Sequence, residues 1–411
     1  MPGAVFSPIA HRLRVPGGVC PLHVGDTWLE PFEGGRMQDL RELEHPGLHR
    51  YCETRGIPAL VDAIVEKVRA RNRIPCERES IVVTAGATGG LGAALGAIAS
   101  PGDEVLILAP FWPLIRGITG AFRATPVEVP FYDRVDSPES AVEAVAERAG
   151  PRCVALYLST PSNPTGRVLP AAWLEALAEW ARREGMWLLS DEVYEDYVYR
   201  GEHVSIGAFA PDRTISVFSF SKAYGMAGNR TGYLVAPAEA ATQALKISTH
   251  TAYHAPTSGQ VGGLRALRGG AAWIESARGA YREVGEATAK LLGVAPPAGS
   301  MFHFLDVADR LDERGLWGFL EGCVDDGVAL APGPSCGSEY ASHVRLCYTA
   351  APPEQVLAAV RRLATRLGRL AARSGSDSRC RIHASGSACA RAPSTSSRLY
   401  QAKGTASCVS R

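Results

Sequence analysis

Residues 214–230 of the 411-residue chain read TISVFSFSKAYGMAGNR, a hydrophobic run that leads into a lysine and a glycine-containing turn. The run is rich in β-branched and aromatic residues and follows the turn signal PDR, which predicts a buried strand. Desolvation lowers the pKa of an amine, so Lys222 is a candidate nucleophile of the Schiff-base type. A solvated surface charge is the ordinary alternative for a lysine. Ser219, Ser221 and Arg230 add donors of the kind that bind a phosphate ester.

Further continuous apolar runs occur along the chain. They are IVVTAG at 81–86, EVLILAP at 104–110, CVALYLST at 153–160, MWLLSDE at 186–192 and TGYLVAP at 231–237. Such runs are typical of strands buried on both faces. Helix-like stretches such as GGLGAALGAIA and AAWLEALAEWARREG lie between them. The alternation predicts an α/β fold with a mostly parallel sheet flanked by helices, whose ligands bind at the carboxyl ends of the strands.

The pattern changes after about residue 290, where the short runs MFHFLDV, GVALAPG and HVRLCYT alternate with helical segments. We expect a large domain at 41–288 and a smaller α+β domain at 289–373. Residues 1–40 are expected to form an N-terminal arm and part of the smaller domain. Residues 374–411 are rich in Ser, Ala and Arg without periodicity, which predicts a disordered tail.

Composition excludes several classes of function. The formal net charge is +1, so no global field favours nucleic acid or an anionic membrane. No apolar run approaches the roughly 20 residues of a membrane span, and MPGAVFSPIAHRLRV lacks the apolar core of a signal peptide. The ten cysteines show no paired spacing, which predicts free thiols, no metal site and a cytoplasmic location.

Polar and aromatic residues follow several of the predicted strands. In TAGATGG at 84–90, the N–H groups of Ala87 and Thr88 could bind a phosphate at a helix N-terminus, although such turns are equally common as packing devices. Asp191 follows a hydrophobic run, and a buried carboxylate there requires a cation, for which a pyridinium nitrogen would serve. Asn163 could hydrogen-bond an aromatic oxygen or form a simple Asn-Pro turn. Trp112 could stack on a planar ring or belong to the core.

The motifs TAGATGG, PFW, NPTG, SDEVY and SFSKAYGMAGNR occur in this order. Their combination resembles the class I/II aminotransferases of the fold-type I pyridoxal-phosphate enzymes, and the resemblance covers residues 20–371. It implies a fold-type I pyridoxal-phosphate-dependent transferase that exchanges an amino group between an L-amino acid and a 2-oxo acid.

The resemblance also implies roles for individual residues. Lys222 would form the Schiff base with pyridoxal 5'-phosphate and act as general base, and Asp191 would pair with the ring nitrogen. The other implied cofactor contacts are Asn163 and Tyr194 to the 3'-oxygen, Trp112 as the stacking ring, and Ala87, Thr88, Ser219, Ser221 and Arg230 to the phosphate.

Three further residues are implied in substrate binding and assembly. Arg345 in HVRLCYT would bind the substrate α-carboxylate together with Asn163, whereas a surface arginine on an edge strand is the alternative. Gly25 in LHVGD would lie near the same carboxylate. Tyr51 in HRYCETRGIPAL would reach the phosphate of a neighbouring subunit, which implies a homodimer with shared active sites.

Departures from the family pattern give an expected order of preference among classes of amino acid substrate. Thr88 stands where dicarboxylate-specific relatives can carry a lysine. The segment GSMFHF at 299–304 is bulky and aromatic, and Asp26, Trp28 and Glu30 replace the more usual entrance residues. We therefore expect neutral or aromatic amino acids first, cationic ones second and dicarboxylates last.

Two other functions remain open from the sequence. A pyridoxal-phosphate-dependent lyase or synthase on the same fold would share nearly every residue named. A non-catalytic effector-binding domain would be joined to a DNA-binding domain, for which the first 25 or so residues leave no room.

Overall fold

The structure is a computed structural model that describes residues 18–369. The predicted tail at 374–411 and the first 17 residues of the predicted arm lie outside the described residues. Within the described part of the chain, no helix is long and apolar enough to cross a membrane.

The strands are β1 (Ile81–Thr84), β2 (Glu104–Ala109), β3 (Thr125–Pro130), β4 (Cys153–Ser159), β5 (Trp187–Asp191), β6 (Thr214–Ser219), β7 (Gly232–Val235), β8 (Phe302–Asp306), β9 (Ala331–Pro332) and β10 (His343–Cys347). The α-helices are α1 (Pro58–Lys67), α2 (Gly86–Ile98), α3 (Leu114–Ala121), α4 (Pro138–Ala146), α5 (Ala171–Arg183), α6 (Phe220–Ala223), α7 (Ala238–Ala252), α8 (Thr257–Gly269), α9 (Ala271–Leu292), α10 (Gly315–Asp325) and α11 (Pro353–Arg366). One π-helical turn, Val68–Asn72, continues α1.

The seven-stranded sheet has the order β1-β7-β6-β5-β4-β2-β3. The neighbours from β6 to β3 pair in parallel, whereas β7 is antiparallel to both β1 and β6. This arrangement confirms the predicted α/β fold with a mostly parallel sheet. The hydrophobic runs do not predict β3, because TPVEVP lies at the edge of the sheet and is only partly buried.

Alternate residues of the central strands enter two different hydrophobic cores. Ile107 and Leu189 belong to the core on the α2 side, whereas Leu106 and Leu188 belong to the core on the α5 side, and all four are fully buried. Burial on both faces explains why these strands read as continuous apolar runs. It also leaves the strand ends as the places where polar side chains can meet a ligand.

The second sheet has the order β8-β10-β9 and is antiparallel. It shares a hydrophobic core with the C-terminal helices α10 and α11, with part of α9 and with Leu22 near the N-terminal end of the described chain. Cys20 forms an isolated parallel bridge with Val328. The domain boundaries at 40/41, 288/289 and 373/374 stay a prediction.

Candidate active site

A cavity of about 170 Å³ lies at the carboxyl ends of β4, β5 and β6 and at the N-terminus of α2. It brings together Lys222, Asp191 and all the other residues predicted to bind the cofactor within one subunit. They are Ala87, Thr88, Trp112, Asn163, Tyr194, Ser219, Ser221 and Arg230. The lining also includes Leu91, Val193 and Ala227, which the sequence analysis missed because single apolar residues carry no chemical signal.

The N-terminus of α2 forms one wall of this cavity. Gly86 has a positive φ of 70°, and a Cβ built on it would lie 2.5 Å from Arg230 Nη2, so that the close approach requires glycine. Arg230 itself has a left-handed φ of 51°, and its Nη1 donates to the Ala227 carbonyl at 3.0 Å. The free N–H groups of the first turn and this guanidinium therefore converge on one place, which is the composition of an anion site.

Lys222 lies on α6, the single helical turn that follows β6. The Ser219 hydroxyl caps that turn by accepting from the Ser221 N–H at 3.0 Å. The amine of Lys222 donates to the Gly25 carbonyl, which brings the predicted Gly25 next to the predicted nucleophile. Burial lowers the pKa of Lys222, and the nearby Asp26 carboxylate partly opposes this shift. The neutral, nucleophilic form of the amine is thereby favoured.

Asp191 ends β5 and is 4% exposed. Its Oδ2 accepts from the Tyr157 hydroxyl at 2.9 Å, and its Oδ1 accepts from the Val193 N–H at 3.3 Å. Burial raises the pKa of Asp191 to about 6, and the Tyr157 hydroxyl partly opposes the rise. Both donors are neutral, so the expected buried cation would have to come from a ligand.

Arg345 lies on β10, the central strand of the smaller sheet, and is 7% exposed. Its Nη1 donates to Asn163 Oδ1 at 3.0 Å, its Nη2 donates to the His23 carbonyl at 2.9 Å, and its guanidinium lies 4.7 Å from the Phe302 ring centroid. Its buried Nε has no hydrogen-bond partner among the described residues. The alternative of a surface arginine on an edge strand is therefore wrong.

Asn163 connects this arginine to Tyr194, because it accepts a hydrogen bond from Arg345 and acts on the pKa of the Tyr194 hydroxyl. Burial raises the pKa of the Tyr194 hydroxyl far above its ordinary value, so the hydroxyl stays protonated. The chain therefore places an amide, a phenol and a guanidinium in one connected group at the edge of the cavity.

Two predicted features do not face the cavity. Tyr51 is 83% exposed and packs edge-on against Tyr253 and His254, with ring centroids 4.9 and 5.6 Å away. Trp28 packs edge-on against Tyr281 at 5.2 Å instead of lining the cavity. Asp26 and Glu30 are exposed.

The aromatic segment at 299–304 is also absent from the cavity lining. Met301 and Phe302 are fully buried in the core of the smaller sheet, and His303 is buried with its pKa lowered to about 4 by desolvation. In the single subunit this segment does not line the cavity, and its contact with a substrate stays a prediction. Phe302 on β8 lies against the guanidinium of Arg345 and against Gly25. A Cβ on that glycine would lie 3.0 Å from the Phe302 ring.

Among the described residues, no group of three or more His, Cys, Asp or Glu side chains is placed to hold a metal ion.

Comparison with known proteins gives consistent results. The profile of the family described as aminotransferase class I and II matches residues 22–363. The aspartate/prephenate aminotransferase of Thermus thermophilus is 34% identical over 336 residues, which cover 79% of this chain and 84% of that protein. The arginine–pyruvate transaminase of Pseudomonas aeruginosa is 34% identical over 318 residues, covering 73% and 78%.

The fold comparison agrees with the sequence comparison. A solved structure of the Thermus thermophilus aspartate aminotransferase with maleate superposes with a TM-score of 0.81 at 31% identity. The match covers 89% of this chain and 97% of that one.

The raised pKa of Asp191 predicts how the stability of the cofactor-free protein depends on pH. The folded carboxyl binds its proton with a pKa of about 6, against 3.8 in its ordinary state, so the folded state loses stability as pH rises from about 4 to about 6. The loss is on the order of 3 kcal/mol. Denaturant unfolding of the wild type and of Asp191→Asn at each pH isolates this contribution, because the difference between them should grow across that window. A constant difference would contradict the prediction.

Proposed function

Because the chain belongs to the class I and II aminotransferase family and is a pyridoxal-phosphate-dependent aminotransferase, we propose that the cavity at Lys222 is its active site. The observation that carries this proposal is the convergence of a desolvated lysine, a buried carboxylate and Arg230 on one cavity, with the buried Arg345 joined to the cavity lining by its hydrogen bond to Asn163. The aminotransferase prediction is confirmed, and the relatives compared above are named aminotransferases and not lyases or synthases.

The residues present fit pyridoxal phosphate. The phosphate would be held by the N–H groups of Ala87 and Thr88, by Ser219 and Ser221, and by Arg230, since all five residues line the cavity and glycine at position 86 lets Arg230 approach the start of α2. Asp191 supplies a carboxylate whose neutral partners leave its charge uncompensated, which suits a protonated ring nitrogen. Asn163 and Tyr194 would donate to the 3'-oxygen, and Trp112 would lie against the ring.

When bound, the cofactor supplies an electrophilic carbonyl carbon and a ring that accepts electrons. The chain supplies the proton transfers and the orientation. Lys222 would hold the cofactor covalently and, once released by the incoming amine, would take the Cα proton of the substrate at its Nζ. The lowered pKa of Lys222 favours the neutral amine that this step requires.

Arg345 would orient the substrate through its α-carboxylate. Two of its nitrogens are already used by Asn163 and the His23 carbonyl, whereas Nε has no partner among the described residues. The stacking of the guanidinium on Phe302 fixes its plane, so that a carboxylate meets a preformed donor. A substrate whose α-carboxylate is bound by Arg345 would have its Cα–H held in a fixed orientation relative to the cofactor.

We propose neutral or aromatic amino acids as the preferred substrates. Lys222 and Arg230 are the basic residues that line the cavity in the described part of one subunit, Arg345 is joined to the lining through Asn163, and each already has a proposed role. A second carboxylate would therefore find no further cation there. Leu91, Val193 and Ala227 add apolar surface. The exposed Asp26, which acts electrostatically on Lys222, makes a cationic side chain the second choice.

We also propose a homodimer in which Tyr51 completes the partner's site. Tyr51 is 83% exposed and Tyr253 47% exposed, and the two rings contact each other, which makes an aromatic patch that a second copy would cover. A cytoplasmic location is proposed as well, since the seven cysteines of the described residues are free thiols.

Lys222→Ala should lower turnover by about 10³-fold or more, since both the covalent anchor and the base are lost. The variant should still bind pyridoxal phosphate non-covalently through the anion site and Asp191. Borohydride reduction of the loaded wild type, followed by peptide mapping, should label Lys222. Lys246→Ala is the matched control, because the amine of this exposed lysine hydrogen-bonds Gln243 on the same helix and is not at the cavity. A label on any other lysine would remove Lys222 from the proposed role.

The substrate order can be tested with a panel of amino donors and one fixed oxo acid. Single-turnover absorbance changes should give the highest kcat/KM for neutral and aromatic donors, lower values for cationic donors and the lowest for aspartate and glutamate. A dicarboxylate at the head of the order would overturn the ranking without affecting the role of Lys222.

Mixed dimers test the shared site. Tyr51→Phe subunits retain Lys222, and Lys222→Ala subunits retain Tyr51, so one complete site should form in each mixed dimer. After denaturation and joint refolding, activity should exceed the mean of the two parent variants. Tyr253→Phe mixed with Lys222→Ala is the control, and it should give the mean. No excess in the Tyr51 mixture would argue against a shared site.

A further inference from the structure

Tyr157 is a fully buried tyrosine in the middle of the sheet, next to the proposed active site. It lies on β4, and the parallel register pairs it with Leu189 and pairs Ser159 with Asp191. Tyr157 and Asp191 are therefore diagonal neighbours on one face of the sheet. Its ring packs in the same core as Leu91, and its hydroxyl donates to Asp191 Oδ2 at 2.9 Å.

A second buried tyrosine shows that a tyrosine hydroxyl in this core can be satisfied without a carboxylate. Tyr132 is also almost fully buried, and its hydroxyl hydrogen-bonds the main chain of Ser159, donating to the carbonyl at 2.7 Å and accepting from the N–H at 2.9 Å. Such main-chain pairing satisfies a core hydroxyl and has no bearing on a site. The hydroxyl of Tyr157 instead donates its hydrogen bond to the carboxylate of Asp191, which lines the cavity.

The two hydrogen bonds of Asp191 constrain the carboxylate at both oxygens. Tyr157 binds Oδ2 from β4, and the Val193 N–H binds Oδ1 from the residues after β5. With both oxygens held, the plane of the carboxylate cannot turn, and its remaining lone pairs are presented in a fixed direction.

We propose that Tyr157 is a positioning residue of the active site, which orients the Asp191 carboxylate and holds it ionised for a cationic nitrogen of the ligand. The inference rests on the proposed role of Asp191 in binding the cofactor's ring nitrogen. A hydroxyl suits this task because it stabilises the anion without a positive charge, which leaves the charge of Asp191 to the ligand.

The groups around Asp191 support the assignment. Glu192 raises the pKa of Asp191 by charge repulsion, although its own carboxylate points to a separate cluster with His203 and Ser205. Tyr132 and Tyr194 lie near enough to interact electrostatically, and burial raises the pKa of both hydroxyls, so they remain neutral. Tyr157 is therefore the side chain whose hydrogen bond acts against burial and repulsion to lower the pKa of Asp191.

The test measures the affinity of the full-length, cofactor-free protein for pyridoxamine 5'-phosphate from pH 5 to pH 8.5. Affinity should rise as Asp191 ionises, and the part of the rise that is lost in Asp191→Asn identifies the contribution of Asp191, because the phosphate of the ligand titrates equally with both proteins. In Tyr157→Phe the midpoint should move up by about one pH unit, and affinity at pH 6 should fall about fivefold. Turnover should fall while the KM for the amino donor changes little.

Tyr132→Phe is the matched control, because it deletes a buried hydroxyl of the same kind from the neighbouring segment. It should leave the midpoint in place. An equal shift in Tyr132→Phe, or no shift in Tyr157→Phe, overturns the proposal, since a merely structural role predicts one of these results.

A second variant keeps the test decisive if Tyr157→Phe fails to fold. Replacement of Tyr157 by 3,5-difluorotyrosine retains the ring and hydroxyl but makes the hydroxyl a stronger donor, so the midpoint should move down. A midpoint that stays in place, or moves up, overturns the proposal. The double variant Tyr157→Phe/Asp191→Asn should bind no more weakly than Asp191→Asn alone, and additive losses would show that Tyr157 acts elsewhere.

The proposed roles of Asp191 and Tyr157 are contradicted by different results. If Asp191→Asn binds pyridoxamine phosphate with the wild-type pH dependence, the proposed role of Asp191 is wrong, and that of Tyr157 with it. If Asp191→Asn removes its part of the rise but Tyr157→Phe leaves that part unmoved, the role of Asp191 stands and only the positioning role of Tyr157 is wrong.

Discussion

The buried carboxylate of Asp191 is the constraint on which the rest of the site depends. A carboxylate that is 4% exposed and held by neutral donors is costly to ionise, which is why its pKa rises to about 6. The cost is offset when a cation binds. In the proposed function the carboxylate would therefore select a ligand with a positively charged nitrogen and would set where that nitrogen lies. The proposed phosphate site at the start of α2 would bind the other end of the same ligand.

The sheet topology explains how distant parts of the sequence reach one cavity. Parallel pairing of β4, β5 and β6 places Asn163, Asp191 and Lys222 at a common edge, just after the strand ends. The antiparallel β7 then returns the chain so that Arg230, just before it, meets the N-terminus of α2. Arg345 arrives from the smaller sheet and is joined to this edge by its hydrogen bond to Asn163.

Desolvation acts on the two ionisable groups in opposite directions, and both effects suit one reaction. Burial lowers the pKa of Lys222 and raises that of Asp191, because it disfavours a charge of either sign. The lysine is thereby favoured as a neutral amine. The carboxylate keeps its function only with compensating donors, which is the part that Tyr157 is proposed to play. Burial thus lowers the pKa of the proposed base and raises the pKa of the carboxylate that the proposed positioning residue would hold ionised.

The sequence by itself determined the buried strands of the sheet and the residues that follow them, because burial on both faces leaves a continuous apolar run and each run ends at a polar motif. Lys222, Asp191 and Asn163 were found in this way. The tertiary structure alone decided the insertion of β7, the edge strand β3, the burial of Arg345 and the turning of Phe302 away from the cavity. It also decided that Tyr157, an ordinary apolar-run residue in the sequence, meets Asp191. These features depend on lateral pairing between segments far apart in the chain, which leaves no trace in the local pattern that a sequence displays.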